Sequence, residues 1–190
     1  QWAAPLGRFS CKTTQNLTGI QNLKNYLNSK HKLSFYFAYI YSRIQYGIEL
    51  YGSACQKSLK KIQIKQNRAL KVLFNKEFRT PTVEMHKDLK LLMVKDIAKV
   101  NTLKFVHQQR NNALPEAFDN FYTEVCQHHE RETRQKHNLH ISKETAIGKK
   151  STKYRGAVLW NSISKKIRNC QTTKCFASNL KNAIIEAYEP

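Results

Sequence analysis

Acidic residues are what this sequence lacks most: 13 Asp and Glu, of which only Asp88, Asp96 and Asp119 are Asp, stand against 33 Lys and Arg, leaving a formal charge of +20 on 190 residues. Nucleotidyl transfer by two metal ions needs carboxylates clustered beside the substrate phosphates. Three scattered Asp residues with no Asp-Asp pair do not supply them, so the chain alone reads as non-catalytic, with no cofactor of its own. A P-loop, a Gly-rich dinucleotide turn, an HExxH helix and a G-x-S-x-G elbow are also missing. Only six Gly and four Pro argue against low complexity and against an all-β sandwich of tight turns. The longest apolar stretch, residues 33–50, is interrupted by Arg43, Gln45 and Glu49 and reads as no membrane span. Five cysteines (Cys11, Cys55, Cys126, Cys170, Cys175) form an odd set without C-x-x-C, the pattern of reduced intracellular thiols. Residues 1–9 have no initiator Met, basic start or apolar h-region, which reads as a piece of a longer polypeptide. Asn16-Leu17-Thr18 fits the glycosylation pattern, but nothing else suggests secretion.

What remains is a mainly α pattern carrying a large positive charge, and such a charge points to a polyanionic partner through release of condensed counterions. In residues 33–51 the apolar side chains surround the helical wheel, predicting a helix buried on most sides with Gly52 as its stop. Ser58 to Phe74 is the cleanest amphipathic segment. Leu59, Ile62, Ala69, Leu70 and Leu73 line one side, and Lys57, Lys60, Lys61, Lys65, Arg68 and Lys71 the other, with Ile64 and Val72 beside them. Thr80-Pro81 predicts a helix start with Thr80 as N-cap, running to Leu92. A helix over 94–110 follows, then a short one over 116–126. Residues 127–153 read as an extended polar arm in which Leu139-His140-Ile141 pairs as a short strand. Helices over 154–168 and 173–188 end the chain, the last capped by Thr172 or Thr173.

The resulting organisation is an unassigned start (1–16), a helical bundle (17–112), a loop-rich basic arm (113–153) and a small C-terminal helical module (154–190). Cys126, His128, His129, His137, His140, Cys170 and Cys175 include zinc-type ligands, but their spacing fits no compact finger, and no metal site is assigned. Lys149, Lys150, Lys153 and Arg155 form a second cationic cluster suited to phosphate contact. Tyr154, Arg155 and Trp160 offer faces for base stacking, although Val158, Leu159 and Ile163 around Trp160 argue for a core role.

Thr133-Arg134, Leu139-His140-Ile141, Tyr154-Arg155-Gly156-Ala157-Val158-Leu159-Trp160-Asn161, Ile167-Arg168, Phe176, Leu180-Lys181 and Tyr188 follow one another in an order that resembles a known family. It is similar to the segment after the catalytic domain in reverse transcriptases of LINE-type, jockey-like non-LTR retrotransposons. Upstream, residues 41–49, Gly52-Ser53-Ala54, the Leu59 to Leu73 helix, Asp88 to Leu92 and Leu114 to Phe118 resemble that family's thumb. The likeness spans residues 17–189. Tyr51 departs from a frequent Trp and Ile163-Ser164 from a usual Leu-Pro, which removes a helix-terminating Pro.

The resemblance implies a parent RNA-directed DNA polymerase whose fingers and palm, with their Mg²⁺, are absent from this chain. The partners implied are RNA, DNA or an RNA/DNA hybrid and that missing palm, with no membrane, in an intracellular and nuclear setting. A free-standing basic nucleic-acid-binding protein derived from a retroelement, and a decayed element copy, are the alternatives.

Overall fold

The computed structural model describes residues 26–128 and 136–188. Expectations for the start (1–16), the onset of structure near Leu17, Asn16-Leu17-Thr18, Cys11, His129 and Thr133-Arg134 lie outside these residues. The fold is mainly α. Among the described residues, β pairing is confined to an isolated antiparallel bridge between Glu124 and Leu139. The described residues divide into two compact units, residues 26–97 with 185–188 and the described part of residues 98–184. The division falls between Ile97 and Ala98, inside a continuous helix, where no change in composition marks it.

The first unit opens with α1 (Ser29–Tyr36), a π-helical stretch (Phe37–Tyr41) and α2 (Ser42–Gln45), read through as one rod. Asn28 caps its start, the Oδ1 accepting from His31 N at 3.0 Å. This rod is not buried on most sides as its sequence predicts. Tyr36, Ile40, Ile44 and Ile48 are buried, while Phe37, Tyr39, Tyr46 and Leu50 are exposed. A spacing of four residues drifts forward by about 40° per step in an α-helix. The wider π turn offsets that drift and keeps one stripe facing the core. The helix also breaks earlier than Gly52. Gly47 adopts φ +67°, which ends α2 and begins α3 (Ile48–Tyr51), a conformation that costs an L-residue about 1 kcal/mol. The Tyr51 hydroxyl donates back to the Ile44 carbonyl and ties the two pieces together.

α4 (Gln56–Leu73) forms where the amphipathic pattern places it, burying Ile62, Ala69, Leu70 and Leu73. α5 (Thr82–Asp88) starts one residue later than predicted, with Pro81 at the N-cap and no side-chain cap from Thr80, and it stops four residues short of Leu92. The stop is Lys90, at φ +51°. Lys90 belongs to a set of three helix ends built without glycine. After α4, α5 and α6 (Val94–Arg110), the residues Asn75, Lys90 and Asn112 take left-handed φ of 51–52°, and the next N–H reaches back five residues. Those bonds are Lys76 N to Lys71 O, Leu91 N to His86 O and Ala113 N to Gln108 O, each 2.9 Å.

The second unit contains the rest of α6, 3₁₀ turns at Glu116–Phe118, Val125–Gln127 and Gly148–Lys150, then α7 (Thr152–Ser162), α8 (Lys165–Arg168) and most of α9 (Thr173–Glu186). The two separated 3₁₀ turns replace the helix predicted over 116–126. The helix predicted over 154–168 breaks at Ile163-Ser164, with Ser164 serving as N-cap of α8, so the chain turns here without a Pro. Thr172 caps α9, its Oγ1 accepting from Cys175 N at 3.2 Å.

Candidate nucleic-acid interface

α4 has no Asp or Glu in its 18 residues, and its N-terminal turn, where the helix dipole is positive, begins with Lys57 followed by Lys60 and Lys61. Neither helix stability nor capping explains that choice, since Cys55 at the N-cap makes no side-chain cap bond. Lys57, Lys60, Lys61 and Arg68 are exposed, while Lys65 and Lys71 are half-buried. Lys71 is held in place: its Nζ donates to the Phe78 carbonyl at 2.6 Å and lies 5.6 Å from the Phe78 ring centroid. Ile64, 55% exposed, sits among these cations.

The opposite side of α4 fixes how this basic face is presented. Gln66 occupies the centre of the apolar stripe and is fully buried. Its Nε2 donates to the Tyr36 hydroxyl at 2.8 Å and to the Leu92 carbonyl at 2.9 Å. Gln63 Nε2 donates to Gln66 Oε1 (2.8 Å) and Asn67 Oδ1 (2.7 Å), while its Oε1 accepts from Val94 N (2.7 Å). The Val94 N–H is one of the donors at the start of α6 that have no acceptor within the helix, and Gln63 supplies one. Its neighbour Met93 N donates to the Tyr188 hydroxyl (3.0 Å), which in turn donates to the buried Asp96 (2.8 Å). Burial pushes the Tyr36 and Tyr188 hydroxyls to a pKa well above the ordinary phenol value, keeping both protonated. The amphipathic pattern of α4 singles out neither Gln63 nor Gln66, and only the position of Gln66 between Ile62 and Leu70 hints at its burial.

The second predicted cluster lies in the other unit. Lys149 and Lys150 end a 3₁₀ turn, and Ser151 caps α7 by accepting from Tyr154 N at 3.2 Å. Lys149, Lys150 and Lys153 are exposed, with Lys153 Nζ 5.8 Å from the Phe121 ring centroid. Arg155 differs from them. It is half-buried, and burial lowers its guanidinium pKa, opposed by Tyr122. Tyr154 is half-buried and Trp160 is only 3% exposed, so Trp160 takes the core role its neighbours predict.

The Gly156 to Asn161 block is a packing device. Gly156 lies against the Tyr122 ring, whose hydroxyl donates to the Thr152 carbonyl at 3.0 Å. Trp160 stacks on Phe176 (5.8 Å), with the Arg110 guanidinium 5.5 Å from its centroid. Asn161 pairs with Leu139, the residue of the isolated bridge. On one edge Leu139 is bridged to Glu124, and on the other its N–H and C=O pair with the Asn161 amide, both at 2.9 Å. Arg168 then clasps the helix break, donating to the carbonyls of Ile163 (3.0 Å) and Asn161 (2.8 Å) and to Asn138 Oδ1 (3.0 Å). Gly156→Ala is expected to destabilise the protein by about 1–3 kcal/mol, because the new methyl meets the Tyr122 ring. A lowered urea midpoint checks this.

Of the cysteine and histidine set, Cys170 and Cys175 approach to 3.9 Å between sulfurs as free thiols, and the His128 and His140 rings stack at 4.0 Å. Among the described residues, no three His, Cys, Asp or Glu side chains gather where they could hold a metal ion. Asp88 and Asp119 are exposed. Among the described residues, no helix is long and apolar enough to cross a membrane. Comparison with protein-family models, curated proteins and solved structures finds no match to this chain.

Proposed function

We propose that this chain is the thumb and post-catalytic region of a non-LTR retrotransposon reverse transcriptase, gripping RNA or an RNA/DNA hybrid through its phosphates. The observation that carries the reading is the α4 face. Six cations lie on 18 residues free of acids, opposite a buried stripe that fixes their orientation. A line of positive charge on a rigid helix matches a phosphate backbone, which is read by charge rather than by base. Lys149, Lys150 and Lys153 add a second cationic cluster, with Arg155 supporting it from a half-buried position. The ordered resemblance along residues 17–189 supplies the retroelement context, in which polymerisation and its Mg²⁺ belong to a palm outside this chain and the setting is nuclear.

Fluorescence anisotropy with a labelled blunt RNA/DNA hybrid, duplex RNA and single-stranded RNA tests the reading. Binding to all three at low salt, with little dependence on sequence, is expected. Failure to bind any of them at low salt contradicts it.

A further inference from the structure

One end of the α4 face opens into a groove of about 840 Å³, walled by the helix and by the loop that follows it. Its composition differs from the phosphate track. Ile64, Val72 and Phe78 contribute apolar surface, and Arg68, Lys71 and Lys76 stand beside them. Phe78 is 91% exposed and Ile64 is 55% exposed, so neither ring nor branched chain is there to fill the core. The Phe78 ring is nevertheless positioned, because Lys71 reaches across to its carbonyl and over its face. Asn75, in the left-handed conformation, turns the loop back toward the helix.

Building on the phosphate-grip reading, we propose that this groove takes one unpaired base of a single-stranded segment, stacked on Phe78, while Arg68 and Lys76 hold the adjoining phosphates. A paired base inside a duplex has both faces covered by its neighbours. A splayed or terminal base offers a free face and an apolar edge, the shape that Phe78, Ile64 and Val72 complement, and its backbone brings the charge that the flanking cations require. Glu77, also on the groove, disfavours phosphate at that point and leaves Arg68 and Lys76 as its cationic contacts. The grip on a continuous backbone and the capture of a single base are then neighbouring functions of one helix.

Phe78→Ala tests the site, and its exposure makes the change tolerable to the fold; an unchanged urea midpoint verifies that. Single-stranded RNA is expected to bind the variant about tenfold more weakly, the loss typical of one base-aromatic stack. Blunt hybrid should stay within about twofold, Phe78→Trp should restore the single strand, and an abasic oligonucleotide should bind wild type and variant alike. Quenching of a 2-aminopurine base in the oligonucleotide should disappear in the variant. Equal loss for blunt hybrid and single strand, or no loss for either, overturns the stacking site while leaving the phosphate grip intact. A wild-type chain that ignores all nucleic acids overturns both. Displacement of the single strand by an acidic peptide that itself depends on Phe78 overturns the proposal in favour of a protein occupant.

Discussion

Changing Lys60, Lys61 and Arg68 together to Glu is expected to weaken binding of a blunt RNA/DNA hybrid by at least a hundredfold near 0.1 M salt. Each phosphate neutralised by a side chain contributes close to one counterion to the equilibrium, so three lost contacts remove about 2.7 from the salt slope and two to three decades of affinity at that salt. The three side chains are exposed, and the core side of α4 does not involve them, so the fold should survive the change. The same substitutions spread over Lys95, Lys99 and Lys174 alter the net charge equally. If affinity follows net charge alone, that control loses as much; if α4 is the interface, the control loses several-fold less. Anisotropy titrations of both variants against wild type separate the outcomes.

The second large effect is on stability. Gln66→Leu keeps most of the volume but deprives the Tyr36 hydroxyl and the Leu92 carbonyl of a donor that they meet in the interior. The expected cost is about 2–4 kcal/mol, the range for buried polar groups left unsatisfied. Adding Tyr36→Phe to Gln66→Leu removes one of those stranded groups, so the double variant should be more stable than the sum of the single losses by about 1 kcal/mol. Urea unfolding of the four proteins measures the coupling. Strict additivity would show that the Gln66 to Tyr36 bond contributes nothing.

Gln66 also marks where sequence and structure part. The ends of α6 were legible because Val94, Ile97, Ala98 and Phe105 keep helical spacing and Asn111 to Pro115 closes it. The body of α4 was legible because its two faces differ so sharply in charge. A buried Gln, by contrast, carries no sign in the sequence of which side chains will meet it, since its partners Tyr36 and Leu92 lie 30 and 26 residues away. The early end of α5 depends on Lys90 adopting a left-handed φ, which residue type does not announce. In residues 33–51 the apolar side chains around the whole helical wheel predict burial on most sides. The π turn instead selects one stripe and leaves Phe37 and Tyr39 at the surface.

Within the candidate site, the cations were legible from charge alone, but their surroundings were not. Nothing in the spacing of Arg155 separates it from Lys153. Only the packing of Tyr122 and Gly156 shows that one side chain is half-buried and the other exposed. The groove at Phe78 joins α4 to the loop after it through a side chain to backbone bond, and no periodicity encodes such a contact.

The most direct test of the central claim, that α4 grips a phosphate backbone, is the salt dependence of binding by the unaltered chain. Affinity for a blunt RNA/DNA hybrid, measured between about 50 and 200 mM salt, should fall along a log-log line with a slope of about −5 if five or six cations each neutralise a phosphate. A slope near zero would contradict the account.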